Sequence, residues 1–358
     1  FSRRAALGFG ASILATPALS QGRFPNRPIR FITPWPPGGS LDPLQRNMFE
    51  VVRKDLGQAI LSENMPGARG TRAATFLVTQ GVPDGYTLAH HHLSVLRHPF
   101  LTRQPSWDPV NDFSYIMQFS GFTFGTVVRN DSPYQRLADV FAEARRKPGE
   151  LTYSTSGIAT TNHIAMEDLL RREKAEMTHV PYRGAQEGVT ALLGRQITMV
   201  ADAQAWRPQV EAGEFRLLSV WTRERLGGFP NAPTLIELGY DMVVTSPYGV
   251  VGPRGMPGEI VEILHTAFKK AWEDESTQAV VRRWDMPREY LNTADYLAFV
   301  KARVEYEKEW VQRLNLSIDC KKNGRALPFR THPQRVERPF EPNIRYPAST
   351  GADPRRFP

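Results

Sequence analysis

Two glycine-rich turns are the first places in this sequence where backbone chemistry could act. One is Pro34-Trp35-Pro36-Pro37-Gly38-Gly39, running on to Asp42; the other is Pro66-Gly67-Ala68-Arg69-Gly70. Each follows a strand-like run and leads into a helix-like one. In an open parallel sheet, ligands sit beyond the carboxyl ends of the strands. A helix N-terminus placed there offers free N–H groups and a partial positive charge to an anion, and glycine lets the ligand come close to the backbone. Thr155-Ser156-Gly157 with Thr160-Thr161 repeats the arrangement later in the chain and adds hydroxyl donors. A single glycine turn is ordinarily just a turn; three at equivalent strand ends point to one carboxylate site. One helix terminus contributes about 0.3–1 kcal/mol, up to about 2 when partly buried, whereas a micromolar ligand needs about 8 kcal/mol. Several donors must converge, with water excluded.

Other chemistries find less support. Neither GxxxxGK[ST] nor GxGxxG is present, and there is no G-x-S-x-G elbow to make Ser154 or Ser156 a nucleophile with His163. His90-His91-His92, with His98, are the candidate metal ligands. Consecutive residues of an extended segment face opposite ways, however, and no H-x-x-x-H spacing occurs, so no metal and no cofactor is expected. One of these histidines, which follow a strand, could touch a ligand. Trp206, Trp221 and Trp310 read as core or inter-lobe packing.

The elements that must position these residues alternate between strand and helix. Ile29–Thr33 reads as a strand. A helical pattern follows through Leu44, Met48, Val51, Val52 and Leu56, with Asp42 able to cap it and Pro43 suited to its first turn. Residues 59–63 and 87–89 are further strands, separated by a helix through Ala73, Ala74, Leu77 and Val78. Residues 122–128, 151–154, 178–180, 198–201 and 217–221 read as strands, and 137–146, the run from Thr160 or Thr161, and 188–193 as helices. Residues 258–273, 279–284 and 293–314 are helical. Repeated strand–helix–strand units over this length predict an α/β protein of two lobes.

Composition sets the outer bounds. The 358 residues carry a formal charge of +8. Residues 1–20 account for +2 and residues 320–358 for +6, which leaves the body neutral and gives no electrostatic case for a nucleic acid partner. Cys320 is the only cysteine, so no internal disulfide can form. No apolar run reaches the roughly 18–20 residues that span a membrane. Arg3-Arg4, the small and apolar run 5–15, and Ala18-Leu19-Ser20 read as an export signal over residues 1–20, with the paired arginines suggesting the twin-arginine route. Residues 320–358 hold seven prolines and no hydrophobic period, which predicts a disordered Pro/Arg-rich tail.

Over about residues 24–318 the chain resembles the periplasmic substrate-binding components of tripartite tricarboxylate transporters, the Bug receptors. The matching residues include Pro25-Asn26-Arg27-Pro28-Ile29, Pro37-Gly38-Gly39 with Asp42 and Arg46, Glu63-Asn64 with Pro66-Gly67-Ala68-Arg69-Gly70, and Pro83-Asp84-Gly85-Tyr86-Thr87-Leu88. Asp108 with Asp112-Phe113, Gly157 with His163 and Glu167, Val180-Pro181-Tyr182-Arg183-Gly184, and Pro233-Thr234 also match. The resemblance implies a type II periplasmic-binding-protein fold, two lobes joined by a hinge with a ligand cleft between them. Lobe 1 would comprise residues 24–124 and 246–318, and lobe 2 residues 125–245. It implies a periplasmic receptor, not an enzyme, that captures a small carboxylate for integral-membrane transporter subunits, and a monomer is expected. The alternatives are a receptor signalling to a membrane sensor kinase, or an enzyme on the same scaffold.

Carried over from the family, the ligand-binding positions are Pro37, Gly38, Gly39, Asp42, Gly67, Ala68, Thr155, Gly157, Thr160 and Thr161. Ser156 belongs to the same turn, and Asp202 stands where the family often has an acid near the cleft. Arg69 and Ala159 replace family glycines, and Pro247 replaces a common tryptophan. Arg69 is the one cation among these positions that could pair a second carboxylate.

Overall fold

A computed structural model of the chain describes residues 24–313 and Ile318. The expected export segment and the 320–358 tail lie outside the described residues.

The first parallel unit is built from β1 (Ile29–Thr33), β2 (Ile60–Asn64) and β3 (Thr87–His92), with Ile29 opposite Ile60 and Arg30 opposite Thr87. Helix α1 (Leu41–Leu56) joins β1 to β2. Its apolar period buries Leu44, Met48 and Val52, and it stops at Gly57, whose φ of 70° supplies the left-handed cap. Asp42 lies inside the helix and caps nothing; its Oδ2 instead accepts the Gly38 N–H at 2.5 Å. Helix α2 (Arg72–Gln80) leads to β3, and α3 (Leu93–Leu101) follows directly.

The second unit has β5 (Thr152–Thr155) parallel to both β6 (Thr178–Pro181) and β7 (Met199–Ala203). Helices α4 (Leu137–Arg146), α5 (Thr161–Arg172) and α6 (Ala185–Leu193) and the short α7 (Arg207–Glu211) connect it, and β8 (Phe215–Val220) completes its sheet.

Two long strands join the units. β4 (Phe113–Arg129) pairs antiparallel with β9 (Thr245–Pro253) from Phe113 to Thr123, then changes partners and pairs with β7 and β8 from Phe124 onward. β9 in turn pairs with β3, so the strand order is β2-β1-β3-β9-β4-β7-β5-β6 with β8 also on β4. The two lobes are thus two sheets that share one strand. Successive residues of a strand face opposite ways, and each sheet is covered on both faces accordingly. In lobe 1, Phe31 points to α1 and α8 (Gly258–Glu273), while Ile32 belongs with α2, α3 and α10 (Thr293–Arg313). In lobe 2, Val128 packs with α4 and α5 and Val127 with α6 and Trp206. Helix α9 (Glu275–Arg283) returns toward the hinge, where Arg207 Nη1 meets Asp285 Oδ2 at 2.7 Å.

Three pieces go beyond the sequence pattern: α3, β9 and the first half of β4. Helix α3 contains Pro99, and β9 contains Pro247, Gly249 and Gly252, residues that ordinarily mark turns. Gly249 is required there: a Cβ would fall 2.2 Å from the Met117 carbonyl of the neighbouring strand. Trp206, Trp221 and Trp310 are all buried core.

Candidate functional site

The lobes meet around a small cavity of about 50 Å³. Its floor is the hinge itself: Phe122 and Phe124 of β4 and Ser246 of β9. Its walls come from strand ends and the helices that follow them. Thr33 and Trp35 lead to Gly39, Ser40, Leu41 and Asp42 at the start of α1, and His92 and Ser94 begin α3. From lobe 2 come Ser156, then Thr160, Thr161 and Asn162 opening α5, Ala185 and Gln186 opening α6, and Asp202 with Ala203 ending β7. Four helices therefore point their N-termini into one hollow, two from each lobe. No lysine or arginine is in the lining. Each helix start carries roughly half a positive elementary charge, so what positive potential the site has comes from its backbone, set against the carboxyl groups of Asp42 and Asp202.

Asp202 is the carboxyl group buried deepest in the site, 2% exposed. Ser156 Oγ lies 2.8 and 2.7 Å from its two oxygens, and the Ala203 N–H donates to Oδ1 at 2.7 Å. Burial outweighs these bonds and pushes its carboxyl up to about 7. His92 is pushed the other way, down to about 4, again by burial. It is therefore uncharged at neutral pH. Its Nε2 lies 3.2 Å from the Gly70 carbonyl, which only accepts, so Nε2 holds the proton. The ring packs against Trp35 with centroids 5.0 Å apart.

The turn after β2 supplies a lip to the cavity. Gly67, Ala68, Arg69 and Gly70 all have positive φ, and Thr71 Oγ1 donates to the Ala68 carbonyl at 2.7 Å. Gly70 admits no side chain, because a Cβ would lie 2.6 Å from Trp35 and 2.8 Å from His92. Facing this lip, Gly157 at φ 136° leaves room for Arg69, whose Cγ would stand 3.5 Å from a Cβ there. Gly38 faces Gln186 in the same way, and Gly184 lies against Pro36. The cleft is shut along these contacts.

Of the thirteen expected positions, Gly39, Asp42, Ser156, Thr160, Thr161 and Asp202 line the cavity. Pro37 and Gly38 stand at its exposed rim. Gly67, Ala68, Arg69 and Gly157 form the lip where the lobes touch. Thr155 sits behind the site, its hydroxyl 2.8 Å from His179 Nε2 and 3.1 Å from the Gly157 carbonyl. Arg69 is half-buried outside the lining, its Nε has no hydrogen-bond partner among the described residues, and burial lowers its pKa. Sequence reasoning overlooked the aromatic floor and the α6 entrance. The Val180-Pro181-Tyr182-Arg183-Gly184 run was a usable signal for the latter, being a fourth strand end leading into a helix.

Ser156 and His163, weighed above as nucleophile and base, are bonded to other groups. Ser156 gives its hydroxyl to Asp202, while His163 Nδ1 accepts the Ala159 N–H at 3.1 Å. His90 and His92 share one face of β3, whereas His91 turns away to Tyr296, 3.2 Å from its hydroxyl. Among the described residues, no group of three His, Cys, Asp or Glu could hold a metal ion, and no helix is long and apolar enough to cross a membrane.

A family model described as the tripartite tricarboxylate transporter family receptor matches residues 44–316. The chain belongs to that family. It is similar, at 41% identity over 314 residues, to the UPF0065 protein in the gbd 5' region of Cupriavidus necator, with 87% of this chain and 94% of the relative covered. Among solved structures it resembles that of a periplasmic transporter, with a TM-score of 0.78 and 25% identity over 83% of this chain and all of that one. It also resembles an R. palustris protein solved with adipate, with a TM-score of 0.75 and 26% identity over 81% of this chain and 97% of that one. The receptor thus has the two-lobed periplasmic-binding fold that its resemblance implied.

Proposed function

We propose that this receptor is a monomeric extracytoplasmic solute-binding protein that captures a small carboxylate between its lobes and presents it to integral-membrane transporter subunits. The observation that carries this reading is the meeting of four helix N-termini at one cation-free cavity. Each partly buried terminus contributes up to about 2 kcal/mol, so four converging on one cavity, with hydroxyl donors beside them, act together where one alone falls short of a micromolar ligand. The adipate held by its R. palustris relative supports the same ligand class. Gly39, Asp42, Ser156, Thr160, Thr161 and Asp202 contact the ligand. Pro37, Gly38, Gly67, Ala68, Arg69, Thr155 and Gly157 shape the loops around it. The lobes divide as residues 24–124 with 246–318, and 125–245, in keeping with the exchange of β4's partners after Thr123. The ligand is bound and released without turnover, and the chain works in the periplasm.

Binding to the folded state alone raises its melting temperature. A thermal-shift panel of mono-, di- and tricarboxylates, amino acids and aromatic acids tests the reading. At least one acid is expected to raise the midpoint in a concentration-dependent way; a flat response across the panel refutes capture of carboxylates.

A further inference from the structure

Arg97 lies on α3, one turn beyond the cavity-lining Ser94, and its side chain is 2% exposed. Its Nε donates to Glu307 Oε2 on α10 at 2.6 Å. Its two terminal nitrogens leave lobe 1. Nη1 donates to the Ala159 carbonyl at 3.0 Å, and Nη2 to Thr161 Oγ1 at 3.3 Å. Glu307 is itself buried and also accepts Arg303 Nε at 2.8 Å. One planar guanidinium therefore satisfies three acceptors distributed over both lobes.

The lobe 2 end of this contact is part of the site. Ala159 sits at φ 60°, a region that costs an L residue about 1–2 kcal/mol. Its N–H is held from its own lobe by His163 and its carbonyl from the other lobe by Arg97. Two residues later Thr161 opens α5 and lines the cavity.

We propose that Arg97 is a positioning residue for ligand capture, fastening the α5 N-terminus to lobe 1 when the cleft shuts and so setting the ratio of closed to open receptor without touching the ligand. Glu307 is on lobe 1, so it accompanies Arg97 in both states. The Ala159 and Thr161 acceptors are met only in the closed one, and parting the lobes leaves donors and acceptors to be rehydrated. A ligand that binds the closed form has its apparent affinity scaled by the closed fraction. Lysine keeps the charge but lacks the fork that spans three acceptors.

The test needs no ligand. Spin labels are placed on cysteines substituted at exposed Leu61 of β2 and exposed Leu193 of α6, in a full chain carrying Cys320→Ser, and inter-lobe distances are measured by double electron–electron resonance. Wild type shows a closed, short-distance population. Arg97→Gln and Thr161→Val each lower the closed-to-open ratio at least three-fold, and Arg97→Lys falls between wild type and Arg97→Gln. Thr161→Val leaves the Arg97–Glu307–Arg303 network whole, so it decides the matter even where Arg97→Gln does not fold. Unchanged distances in Thr161→Val and Arg97→Lys overturn the proposal, as does a wild type with no closed population. Neither result bears on carboxylate capture, which the thermal-shift panel tests on its own.

Discussion

The Ser156 hydroxyl stands 2.8 and 2.7 Å from the two oxygens of Asp202, so a cavity suited to an anion already contains a carboxyl group. The two are compatible because burial pushes Asp202 up to about 7. Near neutrality the group is divided between its neutral and charged forms, and the neutral form brings a donor of its own.

Binding of an anion is accordingly expected to weaken as the pH rises through about 7. Isothermal titration with the best acid from the panel should show affinity falling at least several-fold between pH 6 and pH 8, and Asp202→Asn should flatten the profile. An equally steep profile in the variant would mean another group titrates.

The same shift affects stability. An acid whose folded pKa is raised favours folding fully below its unfolded value, near 3.8, and loses that contribution as the pH rises through about 7. Without ligand, Asp202→Asn should melt above wild type at pH 8 and lose most of that advantage at pH 5. Differential scanning calorimetry at the two pH values checks the sign.

Glu307 runs the opposite way. Desolvation works to raise its pKa, but Arg97 and Arg303 together hold it below the ordinary 4.5. Its contribution is complete above the unfolded value and is lost as the pH falls through the lowered folded one. Glu307→Gln leaves two buried guanidinium groups without their shared acid, which should cost about 3–5 kcal/mol in urea denaturation at pH 7.

Gly184 separates closure from folding. Its φ of −179° suits any residue, yet a Cβ there would lie 2.6 Å from Cδ of Pro36 in the opposite lobe. Gly184→Ala should leave the unliganded melting temperature within about a degree or two and weaken ligand binding at least ten-fold. By contrast, Gly70→Ala combines φ 81° with overlap onto Trp35 and His92, all within lobe 1. It should destabilise the unliganded protein by about 2–4 kcal/mol.

Periodicity was a good guide where one face of an element is buried. The spans of α4, α8 and α10 follow it within a residue, because exposed and buried positions alternate along them. It failed where an element is buried on every side. The first half of β4 and all of β9 are buried nearly throughout, so there is no amphipathic rhythm to read, and the Pro and Gly of β9 resemble a loop. The site was legible wherever glycine and hydroxyl residues follow a strand. Phe122, Phe124 and Ser246 were invisible because they belong to the joining strands, whose pairing is a long-range property. Arg97 was equally hidden: nothing near it in the chain signals that its acceptors lie 62, 64 and 210 residues away.

Because β4 passes from one sheet to the other at Thr123, between the two phenylalanines of the cavity floor, the axle of the jaw runs directly beneath the hollow between the lobes. Atoms close to an axle travel little while those far from it travel far. A rotation that swings the lips at Pro36 and Gly184 well apart would thus barely disturb the aromatic bed, leaving a docking surface already formed when a solute arrives.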